Sequence, residues 1–209
     1  MGLGNRKGTM RYKFIYLTLF LISNTLCSQE LKLENLPFKK NIKENILKGE
    51  IFSESKVKSF ILSNEQSLKF SIAGLHPKSC SYALKTLSLY EEYSHFLSFV
   101  KSSQYDDLKS EIHFELSHIL LPYNMALIFK LPRITSTGVY PFVFDIGILK
   151  NLRGKIYVSD YAGKCLFYSN AEWMGPKTGF PNLIFEIFSQ ALSKLSMEML
   201  FRISSSLRH

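Results

Sequence analysis

Histidine, arginine and carboxylate side chains are the groups in this sequence that could move a proton or hold a charged ligand, so their placement sets the limits of its chemistry. The histidines are His76, His95, His113, His118 and His209. His113 and His118 stand five apart on one alternating run, project from opposite faces of a strand, and cannot share a metal ion without help from elsewhere. No metal site is expected. His118 shares a face with Ile112, Phe114 and Leu116, which makes it a candidate hydrogen-bonding group for an interior ligand. The competing reading is a core histidine satisfied within the protein. Arg133, just past Leu131-Pro132, carries five donors that suit a carboxylate or phosphate head group; the alternative is an arginine of a surface turn. Glu172 beside Trp173 is the leading acid/base candidate, because apolar surroundings raise a carboxyl pKa toward neutrality. Strand alternation lets only one of that pair face inward. Glu186 shares a helical face with Asn182, Ser189, Gln190 and Ser193 and reads as a solvated polar residue. The sequence holds no G-x-S-x-G elbow, G-x-G-x-x-G turn or P-loop, so covalent hydrolysis and nucleotide chemistry have no support and no cofactor is expected.

The chain that must position these groups has 209 residues and is 46% hydrophobic, enough for one well-buried core and short for two. Phe (17) and Tyr (11) are abundant, which excludes collagen-like and disordered compositions. The formal charge of +9 falls to +5 once the segment before residue 29 is set aside, since Arg6, Lys7, Arg11 and Lys13 lie there without an acid. The remaining basic residues are scattered and carry no stripe with interleaved aromatics, so a nucleic-acid partner is not expected.

Residues 1–28 read as a secretory signal, with Met10 an alternative start. Arg11 and Lys13 precede an apolar run from Phe14 to Ile22 that is too short to span a bilayer. Cleavage near Cys27 or Ser28 gives an exported protein, periplasmic or secreted. Asn24-Thr-Leu ahead of Cys27 lacks the small residue usual before a lipidated cysteine, so the cleaved form is preferred to a lipoprotein. Residues 29–48 mix charge with isolated apolar residues and read as an arm packed only locally. Residues 49–204 form the folded domain and 205–209 a tail.

Within the domain, residues 57–62 and 67–73 alternate around a Ser63-Asn64-Glu65 turn and predict a hairpin. His76-Pro77-Lys78-Ser79 starts a helix with Ala83, Leu84, Leu87 and Tyr90 on one face, and Tyr93, Phe96 and Leu97 continue as a short second helix. From Phe99 the period changes to two, and five further alternating runs follow: 112–121, 123–131, 138–149, 154–160 and 164–173. Short turns between them predict a meander. After a Gly/Pro turn, Ile184, Ile187, Phe188, Ala191, Leu192, Leu195, Met199 and Leu200 recur at spacings of three and four and predict one long helix over 182–203. Cys80 opens a helix and Cys165 sits in a late strand, so two buried thiols are expected, with a disulfide as the alternative that an oxidising compartment permits.

The segment LSLYEEYSHFLSFV at 87–100 resembles the packing motif that follows the first helix in the START-like superfamily, also called SRPBCC, which includes polyketide cyclases and coenzyme Q-binding proteins. The final helix after a Gly/Pro turn is a second likeness, and together they cover residues 67–203. The resemblance implies an α+β helix-grip fold: a curved antiparallel sheet of about seven strands wrapped on the C-terminal helix, with a short helix pair after the first strand. It also implies an apolar cavity for a lipid-like or polycyclic ligand. His118, Arg133, Trp173, Phe188 and Leu192 are the expected ligand contacts. The leading function is an exported protein that binds a hydrophobic small molecule or lipid. The alternatives are a cyclase- or dehydratase-type enzyme using His118 or Glu172, and an envelope interaction module with peripheral membrane contact.

Overall fold

A computed structural model describes residues 31–117 and 124–207. The signal-like segment, His118 and His209 lie outside the described residues. The order of elements is α1 (Lys40–Leu47), β1 (Phe52–Phe60), β2 (Glu65–His76), α2 (Cys80–Leu87), α3 (Tyr93–Phe96), β3 (Val100–Asp106), β4 (Glu111–Leu116), β5 (Met125–Lys130), β6 (Gly138–Ile146), β7 (Arg153–Tyr161), β8 (Lys164–Pro176) and α4 (Asn182–Ser206). The strands form one sheet in the order β1-β2-β8-β7-β6-β5-β4-β3, antiparallel throughout. This is the expected α+β class, with eight strands among the described residues. The hairpin expected from residues 57–62 and 67–73 is β1 and β2, but β1 already begins at Phe52: exposed Glu54 and Lys56 alternate with Ser53 and Ser55 there, a mixture that hides its first half. The whole of β1 pairs with β2.

The predicted meander accounts for β3 through β8. The chain then closes the sheet by laying β8 against β2, from Glu65 opposite Pro176 to His76 opposite Cys165. Because β2 ends beside Cys165 and α2 begins four residues later at Cys80, the two cysteines are brought to a Cα separation of 4.6 Å and form a disulfide. The expectation of two free thiols is thereby corrected. Position in the chain did not reveal that β2 and β8 are neighbours, and this pairing is what joins them.

Alternation assigns side chains to the two faces. Leu68, Phe70 and Ile72 of β2 and Cys165, Phe167, Ala171 and Trp173 of β8 belong to the concave core, while Ala73, Leu75, Leu166 and Tyr168 point to the back. There the N-terminal arm covers them. Leu33, Leu36 and Phe38 are buried, as is Ile46 of α1, and they form a second core with those four residues. Ser159 Oγ donates to the Leu31 carbonyl (2.6 Å) and Tyr161 OH to Glu34 (2.8 Å). The arm therefore packs on the sheet instead of only on itself. Its buried residues come from a one-turn 3-10 helix, an extended link and a two-turn helix, so no single period marks them.

The helix α4 crosses the concave face and is held along one side by β1. Glu186 Oε1 accepts the Val57 N–H at 2.6 Å. Ser55 donates to the Glu186 carbonyl (3.0 Å), Ser189 to Ser55 Oγ (2.7 Å), Gln190 to the Ser55 carbonyl (3.3 Å) and Ser59 to Asn182 (2.7 Å). The polar face read as solvated is thus stitched to the edge strand, and it satisfies backbone groups that an edge would otherwise leave open. The apolar face divides in consequence. Phe185 and Phe201 are buried, whereas Ile184, Ile187 and Leu195 are exposed. At its far end α4 is pinned by His76, whose Nε2 lies 3.0 Å from Ser204 Oγ and whose ring packs edge-on against Phe201.

Candidate functional site

Between the concave sheet and the first half of α4 the core does not close, and a cavity of about 310 Å³ remains. Its floor is Leu68 and Phe70 of β2 and Ala171 of β8. The side wall is Leu127 of β5 with Phe142 and Phe144 of β6, and the roof is Phe185, Phe188 and Leu192 of α4. Ile148, Leu149 and Leu152, from the β6–β7 connection, close one end.

Two local features hold this space open. Aromatic rings line the inner sheet as a ladder: Phe114 meets Phe129 at 5.5 Å, Phe129 stacks on Phe144 at 4.8 Å, and Phe144 meets Phe142 at 6.1 Å. Rings in mutual contact form a stiff wall that cannot collapse toward the helix one side chain at a time. Phe142 lies opposite Gly154 of β7, where an added Cβ would come within 2.5 Å of the ring. The glycine gives that ring its seat. Under the start of α4, Trp173 and Phe185 meet edge-to-face at 6.2 Å and act as a spacer.

Among the described residues the lining is apolar except for Ser189, Ser193 and Ser196. Their hydroxyls are already engaged: Ser193 donates to the Ser189 carbonyl (2.7 Å), Ser196 to the Leu192 carbonyl (2.6 Å), and Ser189 to Ser55. Among the described residues no titratable side chain lines the cavity. A charged ligand group placed there would lose its hydration without gaining a partner, whereas hydrocarbon would gain from burial. The volume is at the lower end of the range for small-molecule sites.

The structure brings only part of the expected contact set together. Phe188 and Leu192 are in the roof. Trp173 is buried one layer behind, packed on Phe185, and its indole N–H donates to the Lys150 carbonyl (3.0 Å), which anchors the loop that closes the cavity. Glu172 is on the opposite sheet face, paired with Lys69 at 2.9 Å and largely exposed, so it has no route to the cavity. Arg133 is outside the lining, with its guanidinium over the Tyr105 ring at 4.4 Å. It donates to the Ser88 carbonyl (2.7 Å) and pairs with Glu91 (3.0 Å) and Asp107 (3.3 Å). Its donors are therefore used inside the protein. His118 is outside the described residues, and half-exposed His113 sits 3.5 Å from Glu111.

The motif at 87–100 acts as packing. Tyr93 OH donates to the Leu87 carbonyl (2.7 Å), its ring stacks on Phe114, and Tyr90 OH accepts the Ile134 N–H (3.1 Å). Burial pushes both phenols well above their ordinary pKa, so they remain neutral donors. Sequence reasoning missed Phe142, Phe144, Leu127 and Ala171. The signal for the two phenylalanines was present, because they fall two apart on one alternating run.

No protein-family model matches the chain, and no curated protein matches it significantly. Among solved structures, a conserved protein from Geobacillus kaustophilus superposes with a TM-score of 0.56 at 11% identity, over 68% of this chain and 97% of that one. Ara h 8.0201 superposes with a TM-score of 0.53 at 11% identity, over 68% and 99%. A START superfamily protein from Mycobacterium smegmatis gives 0.51 at 12% identity, over 66% and 99%. At such low identity these likenesses carry the fold alone, and that fold is the helix-grip arrangement of START-like proteins.

Proposed function

We propose that this protein is exported and carries a hydrophobic, lipid-like ligand in the cavity beneath α4. The observation that carries the reading is the lining: a walled space of about 310 Å³ whose only polar groups, among the described residues, are serines bonded to their own helix or to β1. Such a site favours a neutral hydrocarbon body and leaves any polar end at the mouth. The START superfamily neighbour supports the helix-grip fold, for which the resemblance at 87–100 implies an apolar ligand cavity. Export is supported by the charged and apolar pattern before residue 29 and by the Cys80–Cys165 disulfide, which persists in an oxidising compartment and is reduced in most cytosols.

Native mass spectrometry of the protein recovered without detergent from the cell's exported fraction tests both parts. The expected spectrum is a chain shortened near residue 28 with a dissociable apolar adduct that organic extraction releases. A chain found only in the cytosol would overturn the export reading, and an adduct-free spectrum that lipid addition does not change would overturn the ligand reading.

A further inference from the structure

The turn between β1 and β2 carries adjacent apolar side chains that nothing covers among the described residues. Phe60 is 42% exposed, Ile61 95% and Leu62 104%. Hydrogen bonds fix this tip beside the start of α4: Ser59 Oγ donates to Asn182 Oδ1 (2.7 Å), and the Lys177 N–H donates to the Asn64 carbonyl (3.1 Å). The first two turns of α4 add Leu183, Ile184 and Ile187, all more than half exposed. Ile184 also lines the cavity. Exposed apolar side chains thus stand on the hairpin tip and on the start of α4, where Ile184 reaches the cavity wall. Scattered apolar residues on a surface need no explanation, but a set concentrated on two elements tied by hydrogen bonds does.

The surrounding charge identifies the occupant. Lys56 and Lys58 alternate with buried Val57 on β1, and Lys177 follows β8 next to the tip, so these lysines outnumber the carboxylate of Glu65, which stands opposite Phe60. None of the three enters an ion pair among the described residues. The side chains at the tip project from a hairpin and do not form a groove that a peptide could fill. Apolar groups that protrude from a frame of unpaired lysines match an anionic bilayer, where the former enter the acyl boundary and the latter stay with the head groups.

We propose that the β1–β2 tip and the first two turns of α4 form a docking face for an anionic lipid membrane. Docking sets the wall at Ile184 against the bilayer, so that an apolar ligand enters or leaves without crossing water. The transfer step rests on the ligand-carrier reading above, whereas the docking rests on the surface itself.

The test uses the exported form, from residue 29 onward, with Ile61→Trp as a local reporter and vesicles of phosphatidylcholine with or without one-third phosphatidylglycerol. The expected result is a blue shift of emission and quenching by brominated acyl chains, with binding at least about tenfold stronger on the anionic vesicles. Replacing both Ile61 and Leu62 by Asp is expected to weaken vesicle binding at least about tenfold. Because both side chains are solvent-exposed, the melting temperature of that variant and its uptake of the neutral probe N-phenyl-1-naphthylamine should equal those of the wild type. A reporter that stays in water, or a double variant that binds like wild type, would overturn the docking face; so would self-association through the tip in place of vesicle binding. If vesicles bind while the wild type takes up no probe, docking stands and the ligand-carrier reading falls.

Discussion

Removing the Cys80–Cys165 bond tests how the fold is closed. The bond spans a sequence separation of 85 and ties the start of α2 to β8, across the point where the chain returns to pair β8 with β2. In the chain-entropy account, opening a loop of this length costs about 4–5 kcal/mol, and measured values tend to be somewhat smaller. Both sulfurs sit in buried positions, so Cys80→Ala combined with Cys165→Ala also loses some packing, while serine would bury two hydroxyls. A net loss of about 3–4 kcal/mol is expected, which for a fold of this size lowers the melting temperature by about 6–16 °C. The assay is thermal unfolding followed by circular dichroism, comparing the oxidised wild type with the double alanine variant under the same conditions. A variant melting within about 2 °C of the wild type would show that the bond does not hold the β8–β2 closure, since a cross-link of this span must constrain the unfolded chain.

Three other perturbations bear on particular contacts. Glu186→Ala strips the Val57 N–H of its acceptor and is expected to cost about 1–3 kcal/mol in urea unfolding, with Glu186→Gln costing less because an acceptor remains; equal stability of all three proteins would deny the stitch to β1. Burial holds the His76 imidazole below its ordinary pKa, so the unfolded chain binds more protons at mildly acid pH. Stability should be full above about pH 6.5 and fall as pH drops below it. A urea midpoint for His76→Gln with the same dependence between pH 8 and pH 5 as the wild type would count against that assignment. Gly154→Ala places a Cβ 2.3 Å from the Asn170 carbonyl oxygen and 2.5 Å from the Phe142 ring, and should cost about 2 kcal/mol or more. An unchanged denaturation midpoint would show that the aromatic ladder does not need that seat.

Local periodicity carried most of the fold. The period-two runs from residue 99 onward correspond to β3 through β8, and the apolar recurrence after residue 182 corresponds to α4, because each signal lies within one element. What depends on a partner far along the chain was not legible. The return of β8 to β2 leaves no local trace, and the disulfide and the neighbourhood of His76 follow from it. The polar stripe Asn182, Glu186, Ser189, Gln190 and Ser193 was visible but misread. Its side chains, with no lysine or arginine among them, suit bonding to a nearby backbone better than solvation. Phe188 and Leu192 could be placed in the roof because helical phase points them inward, whereas the floor and wall required the sheet's curvature to be known. Trp173 and Glu172 illustrate the limit of alternation: it separates them correctly onto two faces but does not say that Phe185 stands between the indole and the cavity.

Whether the space beneath α4 receives an apolar ligand is decided by a titration with N-phenyl-1-naphthylamine in the absence of detergent. The wild type is compared with Ala171→Phe, which fills the cavity floor with apolar volume. Saturable uptake by the wild type is predicted, weakened at least about tenfold, or 1.4 kcal/mol, in the variant while its melting temperature is kept. Equal uptake by the two proteins, or no saturable uptake by the wild type, would mean that the space beneath α4 is not a ligand site.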